Sequence, residues 1–420
     1  MTTNSETTAA QSTRLALAFI FITAMLDSIG LGIIIPVWPK LIAEVAHENI
    51  TGAAWWGQWI GFVYAGMQFL CAPFIGNLSD RFGRRPVLIA SLLALAVDYT
   101  IMGFAPTLLW LFIGRFLSGI AGASYPTIGA YIADVTPPEK RASGFGVMGA
   151  AFSIGFILGP AMGGILGEYG ARMPFFAAAA LSFANALFGL FVLKESLAKE
   201  NRRAFEWWRA NPVGALHAMR RFPLIVGLIA VIVLMRLAHD ANPVLFTYYV
   251  MLKFHWSTAT VGWAMATVGA ALGVVYMFLI RIVIPKIGET NSVYLGLLGG
   301  ALAFAGYAFA PNTAAMFVFV GAYAVFGFAG PALNAIMSKL VGPKEQGELQ
   351  GALACVGSLT SVAAPIVLTQ IFFYFTKPAT PVYFPGAGYF AASVFLVMAA
   401  LVFTRLRAAR PVAAAPEPAE

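Results

Sequence analysis

Apolar residues in this chain come in runs near twenty residues long, repeated from end to end and separated by short polar stretches. An α-helix of that length crosses the hydrocarbon core of a bilayer, about 30 Å thick. A membrane β-barrel would instead show ten-residue segments of strict alternation. These runs are unbroken and rich in Ala, Leu, Gly and Phe, as in bundles of membrane helices. The pattern predicts twelve spans at 14–38, 55–75, 87–104, 107–132, 143–167, 173–194, 223–250, 258–280, 291–310, 313–338, 349–372 and 386–406. The expected fold class is therefore an all-α membrane protein of twelve transmembrane helices in two six-helix halves. The first half is 1–194 and the second 223–406. Between them, 195–222 is a polar connector, where Trp207 and Trp208 could lie at the membrane surface. The Pro/Ala-rich end, 407–420, is expected to be a disordered tail.

Composition agrees. The chain has 420 residues, of which 60% are hydrophobic and only 10% charged, too few to cover a soluble protein of this size. Cys71 and Cys355 both fall inside apolar runs and read as small packing residues without metal-ligand spacing. The polar stretch Met1–Thr13 leads into the first span without a small-residue cleavage site, so that span is expected to stay as an anchor.

The net charge of +8 is a topology signal. Loops on the N-terminal side of the membrane carry twenty basic residues, among them Arg81, Arg84, Arg85, Lys194 and six in the connector. The opposite loops carry four: Lys40, Arg172, Lys253 and Lys377. The positive-inside rule then puts both termini in the cytoplasm. Because the charge follows the membrane edge and forms no compact basic domain, a nucleic-acid partner is not expected.

The two halves repeat in parallel. One offset of 205 residues carries Gly83 onto Gly288, Gly122 onto Gly327, Pro126 onto Pro331, Pro160 onto Pro365 and Pro138-Glu-Lys-Arg onto Pro343-Lys-Glu-Gln. Two six-helix halves related about the membrane normal are a transporter architecture, with the substrate near the midplane.

Candidate chemistry lies in a few places. Gly76-Asn-Leu-Ser-Asp80-Arg81-Phe-Gly83-Arg84-Arg85-Pro86 packs four charges between two apolar runs. Gly76, Gly83 and Pro86 predict a tight turn, and Asp80 can face a helix N-terminus there. Charges inside membrane spans are costly, which marks Asp27, Asp98, Arg115, Arg236, His239 and Asp240 as functional candidates. Each has a plainer reading. Asp27 could be a helix-end residue facing water, and Asp98 and Arg115 a static buried pair. The Arg236/His239/Asp240 group could sit solvated at the outer surface. Arg236 and Asp240, four residues apart, can pair on one helix face. In the fifth span Gly155, Gly159, Pro160, Gly163 and Gly164 leave room for another helix to approach, and Pro160 bends the span. No metal-ligand spacing, phosphate-binding glycine loop or nucleophile with a nearby base is present, so no enzyme activity, cofactor or metal is expected.

These strings resemble a known family. Asp27–Pro39, Ser79–Pro86, Asp98-Tyr99, Gly114-Arg115, Gly155–Gly164 and Gly347-Glu-Leu-Gln-Gly351 look like bacterial tetracycline efflux pumps, which are drug/proton antiporters of the major facilitator superfamily. The likeness runs from about residue 14 to 405. It implies an inner-membrane, multi-pass, monomeric transporter in a lipid bilayer that exports a small amphipathic compound in exchange for protons. By the same resemblance Asp27, Asp98 and Arg115 match membrane-embedded charges needed for transport, and Asp80 and Arg84 match a gating loop. Where those pumps carry a His in the eighth helix and an Asp in the ninth, this chain has Leu272 and Gly300. Its helix 7 group could substitute in part as a second protonation site. Proton-linked uptake of a sugar or organic acid, and a non-transporting receptor or assembly factor, are the competing readings.

Overall fold

The computed structural model describes residues 18, 20–123, 125–136, 141–203, 223–342, 345–378 and 380–408. Trp207, Trp208, Lys140 and the tail beyond residue 408 lie outside the described residues. The described chain is helical, with no strand. We label the helices α1 (Ile20–Ala46), α2 (Ile50–Phe82), α3 (Arg84–Gly103), α4 (Leu108–Val135), α5 (Arg141–Gly167), α6 (Met173–Val192), α7 (Leu224–Phe254), α8 (Thr258–Val274), α9 (Ile280–Phe309), α10 (Thr313–Ser338), α11 (Gln346–Thr376) and α12 (Ala387–Ala408). A π turn at Val275–Leu279 joins α8 to α9. The resulting 52-residue stretch is two membrane spans, because α9 turns at Gly288, where φ is +80°. Twelve spans result, as the hydropathy predicts.

Several helices run past their predicted ends. α2 begins at Ile50 because the Asn49 side chain accepts the Gly52 N–H at 2.9 Å and satisfies one of its free donors. It also continues through Gly76, so the expected turn shrinks to Gly83 alone, with φ +104° and ψ 161°. Pro86 fits the first turn of α3, where its missing N–H costs no hydrogen bond.

The repeat is visible in the backbone. Gly288 has ψ 159°, so it turns the chain as Gly83 does one offset earlier. Pro160 and Pro365 both lie inside long helices, α5 and α11. α3 packs on α4 and α6, and α9 packs in the same way on α10 and α12.

By contacts the chain forms two compact units. The first comprises Met1–Asn211, Pro243–Gly273 and Pro365–Pro385. The second comprises Pro212–Asn242, Val274–Ala364 and Gly386–Glu420. The first unit is held by close helix approach. A Cβ at Gly155 would lie 2.8 Å from the Met25 carbonyl oxygen, one at Gly159 2.8 Å from that of Ile29, and one at Gly163 would overlap that of Ile33. A Cβ at Gly164 would lie 2.6 Å from the Thr258 carbonyl oxygen on α8. The glycines of α5 thus seat α1 on one side and the start of α8 on the other, the role their spacing suggests.

Candidate functional site

In the first unit, α3, α4, α2 and α1 bring together buried charge and aromatic rings. Asp98 on α3 is fully buried. Its Oδ2 accepts the Ser118 hydroxyl at 2.5 Å, while Oδ1 has no hydrogen-bond partner among the described residues. Gly114 makes room for this carboxylate, since a Cβ there would lie 2.8 Å from Oδ1. Arg115, one residue on, is 7% exposed. Its guanidinium carbon lies 4.4 Å from the Trp38 ring centroid and 5.5 Å from that of Tyr64, cation–π contacts that suit a planar, weakly hydrated cation. α4 comes near enough to α2 for this because residue 119 is glycine. A Cβ there would lie 2.7 Å from the Tyr64 carbonyl oxygen.

Arg115 and Asp98 feel each other's charge, but no ion pair closes between them. Asp27 on α1 is half-buried, within electrostatic reach of Tyr64 and Tyr99, and has no ion-pair partner among the described residues. One acid with a free oxygen, a second unpaired acid and one cation thus share an apolar region. The sequence marks the three charges. It gives no sign of Trp38, Tyr64 and Ser118, since an aromatic or a serine in a membrane span is ordinary.

The charged loop is built around Arg84. This side chain is nearly buried and pairs with Asp80 at 2.5 Å and with Asp134 at 3.3 Å. It also donates to the Ser79 hydroxyl at 2.6 Å. The carboxylate at the α3 N-terminus is not Asp80, as the loop string suggests, but Glu195. Its Oε1 accepts the Arg84 N–H at 2.8 Å and its Oε2 that of Arg85 at 3.3 Å. Asp80 lies within the last turn of α2, where its spacing from Arg84 makes it an ion-pair partner. Gly83 serves twice, adopting a φ that other residues rarely take and leaving space that the Glu195 carboxylate fills. Arg85 donates to the Leu190 carbonyl at 2.6 Å, while Arg81 is exposed over the Phe82 ring. Glu195 went unread because it sits at the head of a polar connector, where one more charge carries no signal.

The second unit repeats this corner with the signs exchanged. The 205 offset carries Arg84 onto Glu289 and Asp134 onto Lys339, and Lys339 pairs with Glu289 at 2.6 Å. Arg236, His239 and Asp240 of α7 also lie in this unit. They do not form the ion pair their spacing allows: the Arg236 side chain is exposed, and Asp240 Oδ2 is shielded without a hydrogen-bond partner among the described residues. Gly300 packs against α12, where a Cβ would lie 3.1 Å from Leu396 Cδ1.

At the end of α5, Glu168 reaches the first turn of α8. Its Oε1 accepts the Thr258 hydroxyl at 2.5 Å and the Ala259 N–H at 3.0 Å. These bonds, with the helix N-terminus behind them, hold its carboxyl below the usual carboxylate range. A lowered value means the contact contributes at neutral pH and is lost as pH falls through that value. Glu168→Gln is therefore expected to speed amide exchange at Ala259–Gly262 about two- to fivefold at pH 7.5, the size of effect one exposed charge-assisted contact gives. The difference from the parent should close at acid pH, where Glu168 itself is protonated. Equal exchange at pH 7.5, read by hydrogen–deuterium mass spectrometry, would refute the contact's role.

The Major Facilitator Superfamily model matches residues 20–365. The chain belongs to the major facilitator superfamily. Among its superfamily relatives, the tetracycline resistance protein of class C from Escherichia coli is 38% identical, with 85% of this chain and 89% of that one covered. The class G protein from Vibrio anguillarum is 37% identical over 83% and 88%. In fold the chain is similar to a mutant of the nucleoside transporter NupG, with a TM-score of 0.76, 15% identity and coverage of 93% and 99%. The protein is accordingly a multi-pass membrane transporter and not an enzyme.

Proposed function

We propose that the protein is a proton-coupled antiporter exporting a small amphipathic, tetracycline-type compound by alternating access. The observation that carries this reading is Asp98 in the first unit, a fully buried carboxylate with one free oxygen near Arg115, Trp38 and Tyr64. An acid in a low-dielectric span that is hydrogen-bonded on one side and open on the other can take up and release a proton. The unpaired Asp27 is the second candidate carrier. Tetracycline-resistance relatives support the drug class, since two of them are 37–38% identical over more than four fifths of the chain. The twenty-to-four distribution of basic residues supports cytoplasmic termini in a bacterial inner membrane. The working parts are then the six-helix halves 1–194 and 223–406, in a monomer, with protons and the substrate as partners.

Everted membrane vesicles test this. With an imposed pH gradient, vesicles holding the protein should accumulate tetracycline, or another amphipathic compound to which the protein confers resistance in a pump-deficient host. Accumulation should vanish when the gradient is collapsed. Asp98→Asn should lose gradient-driven accumulation, because an amide cannot cycle a proton, and Asp27→Asn should lose part of it. Gradient-independent flux, or full driven flux in Asp98→Asn, would remove Asp98 from the coupling mechanism.

A further inference from the structure

The repeat places one corner in two settings. In the first unit the chain leaving α6 covers it. Tyr131 donates its hydroxyl to the Lys194 carbonyl at 3.1 Å. Glu195 accepts the N–H groups of Arg84 and Arg85 at 2.8 and 3.3 Å, with Arg202 Nη2 3.9 Å from its Oε2. The Ser196 hydroxyl donates to Asp134 Oδ2 at 3.0 Å. Residues 194–196 thus touch Arg84, Arg85, Tyr131 and Asp134. The 205 offset carries these four onto Glu289, Thr290, Ile336 and Lys339. In the second unit all four line one cavity of about 250 Å³.

The rest of that lining is apolar at depth and cationic at one point. Leu228, Leu340 and Phe403 come from α7, α10 and α12, and Leu228 and Phe403 are each 2% exposed. Ile336 stands where the first unit has Tyr131, so a wall that offers a hydroxyl there is apolar here. Lys339 pairs with Glu289 at 2.6 Å, and these two charges offset each other. Arg407 is exposed and has no ion-pair partner among the described residues, so the lining carries one net positive charge. Spans that alternate across a bilayer bring the start of α7, the turn of α9 and the ends of α10 and α12 to the same side. That side holds the twenty basic loop residues, and anionic headgroups gather at such an edge.

The chain's own continuation matches this cavity poorly. Glu195 follows α6, which ends at Val192, almost at once, whereas the stretch after Ala408 brings Arg410 first and no acid before Glu417. We propose that the cavity binds a glycerophospholipid with an anionic headgroup. Its phosphate goes to Arg407, and one acyl chain runs along Leu228, Leu340 and Phe403, where apolar surface favours it. The lipid then ties α7, α9, α10 and α12 together, as residues 194–196 tie α3 to α4.

The test uses purified, delipidated full-length protein in dodecyl maltoside, with binding read by isothermal titration calorimetry. The probes are dioctanoyl phosphatidylglycerol, the zwitterionic dioctanoyl phosphatidylcholine, and sn-glycerol 3-phosphate, which has the anion without the chains. The parent should bind phosphatidylglycerol about fivefold tighter than phosphatidylcholine, the scale of one basic side chain meeting an anionic headgroup. It should bind glycerol phosphate far more weakly than either. Arg407→Gln should erase the preference and leave phosphatidylcholine binding unchanged. Arg405→Gln removes the same charge from an exposed position on α12 outside the lining, and should keep the preference. No preference in the parent, an unaltered one in Arg407→Gln, or equal loss in both variants would each overturn the site. Glycerol phosphate binding as tightly as phosphatidylglycerol would make it a site for free phosphates and overturn the lipid. Phosphatidylglycerol binding that appears only in Glu417→Gln with Glu420→Gln would assign the cavity to the chain's own end instead.

Discussion

Arg115→Ala is expected to abolish gradient-driven transport, by at least about a hundredfold, while the protein still inserts and purifies. Arg115 is 7% exposed, and its surroundings offer two ring faces, Trp38 and Tyr64, and the electrostatic presence of Asp98. No ion pair with any described residue holds it, so its charge is free to answer a change at Asp98 or an arriving ligand. Removing it leaves Asp98 with a hydrogen bond from Ser118 and without that cation. Arg115→Lys keeps the charge but loses the planar face that lies over Trp38, and should retain about a tenth of the flux. Vesicle transport of the compound found in the resistance panel measures both. Parental flux in Arg115→Ala would make Arg115 a structural residue. Flux in Arg115→Lys as low as in the alanine variant would mean that ring stacking matters more than charge.

The spans and the repeat were legible because both rest on period and composition. An apolar run of twenty residues has few alternatives to a membrane helix, and glycine and proline at a fixed offset mark backbone that only they can form. Gly83 and Gly288 show this directly, with ψ angles of 161° and 159°. Asp27, Asp98 and Arg115 were legible because a charge in an apolar span is rare. The residues that complete the site were not. Ser118, Trp38 and Tyr64 matter through direction and distance, which a sequence does not carry. Gly76 misled because a single glycine weakens a helix without ending it, and α2 runs through this one although nothing lies within 4 Å of where its Cβ would be. The Arg236–Asp240 pair did not form although the turn between them is helical, the Asp240 N–H bonding the Arg236 carbonyl at 2.9 Å, because four-residue spacing sets the backbone and not where a long exposed side chain goes. Glu195 could have been found by asking which acid meets the free N–H groups that follow Gly83, a question the helix boundary raises once Asp80 is placed in α2.

Arg84 is the other residue whose loss should be severe. Its guanidinium holds Asp80 at 2.5 Å, Asp134 at 3.3 Å and the Ser79 hydroxyl, joining the ends of α2, α3 and α4. Arg84→Ala leaves two acids unpaired beside Glu195. Removing one partner of a fully buried pair costs about 3–5 kcal/mol, and the partly exposed Asp80 and Asp134, at 36% and 23%, bring the expected loss to about 2 kcal/mol. Asp80→Asn, which keeps the shape and one acid, should cost less stability and still slow transport. The second unit supplies the control. Lys339 faces Glu289 at the equivalent corner, but its side chain is 70% exposed, so Lys339→Ala should change stability by less than about 0.5 kcal/mol. Copying that reversed polarity into the first unit, as Arg84→Glu with Asp134→Lys, should not rescue Arg84→Ala. Residue 80 is an acid in the first unit, whereas the 205 offset places Pro285 there in the second, so the introduced glutamate would face both Asp80 and Glu195. Thermal unfolding of the purified variants, with vesicle flux alongside, reads these outcomes. Full stability in the reversed pair would show that the Arg84–Asp134 contact acts alone, without Asp80 or Glu195.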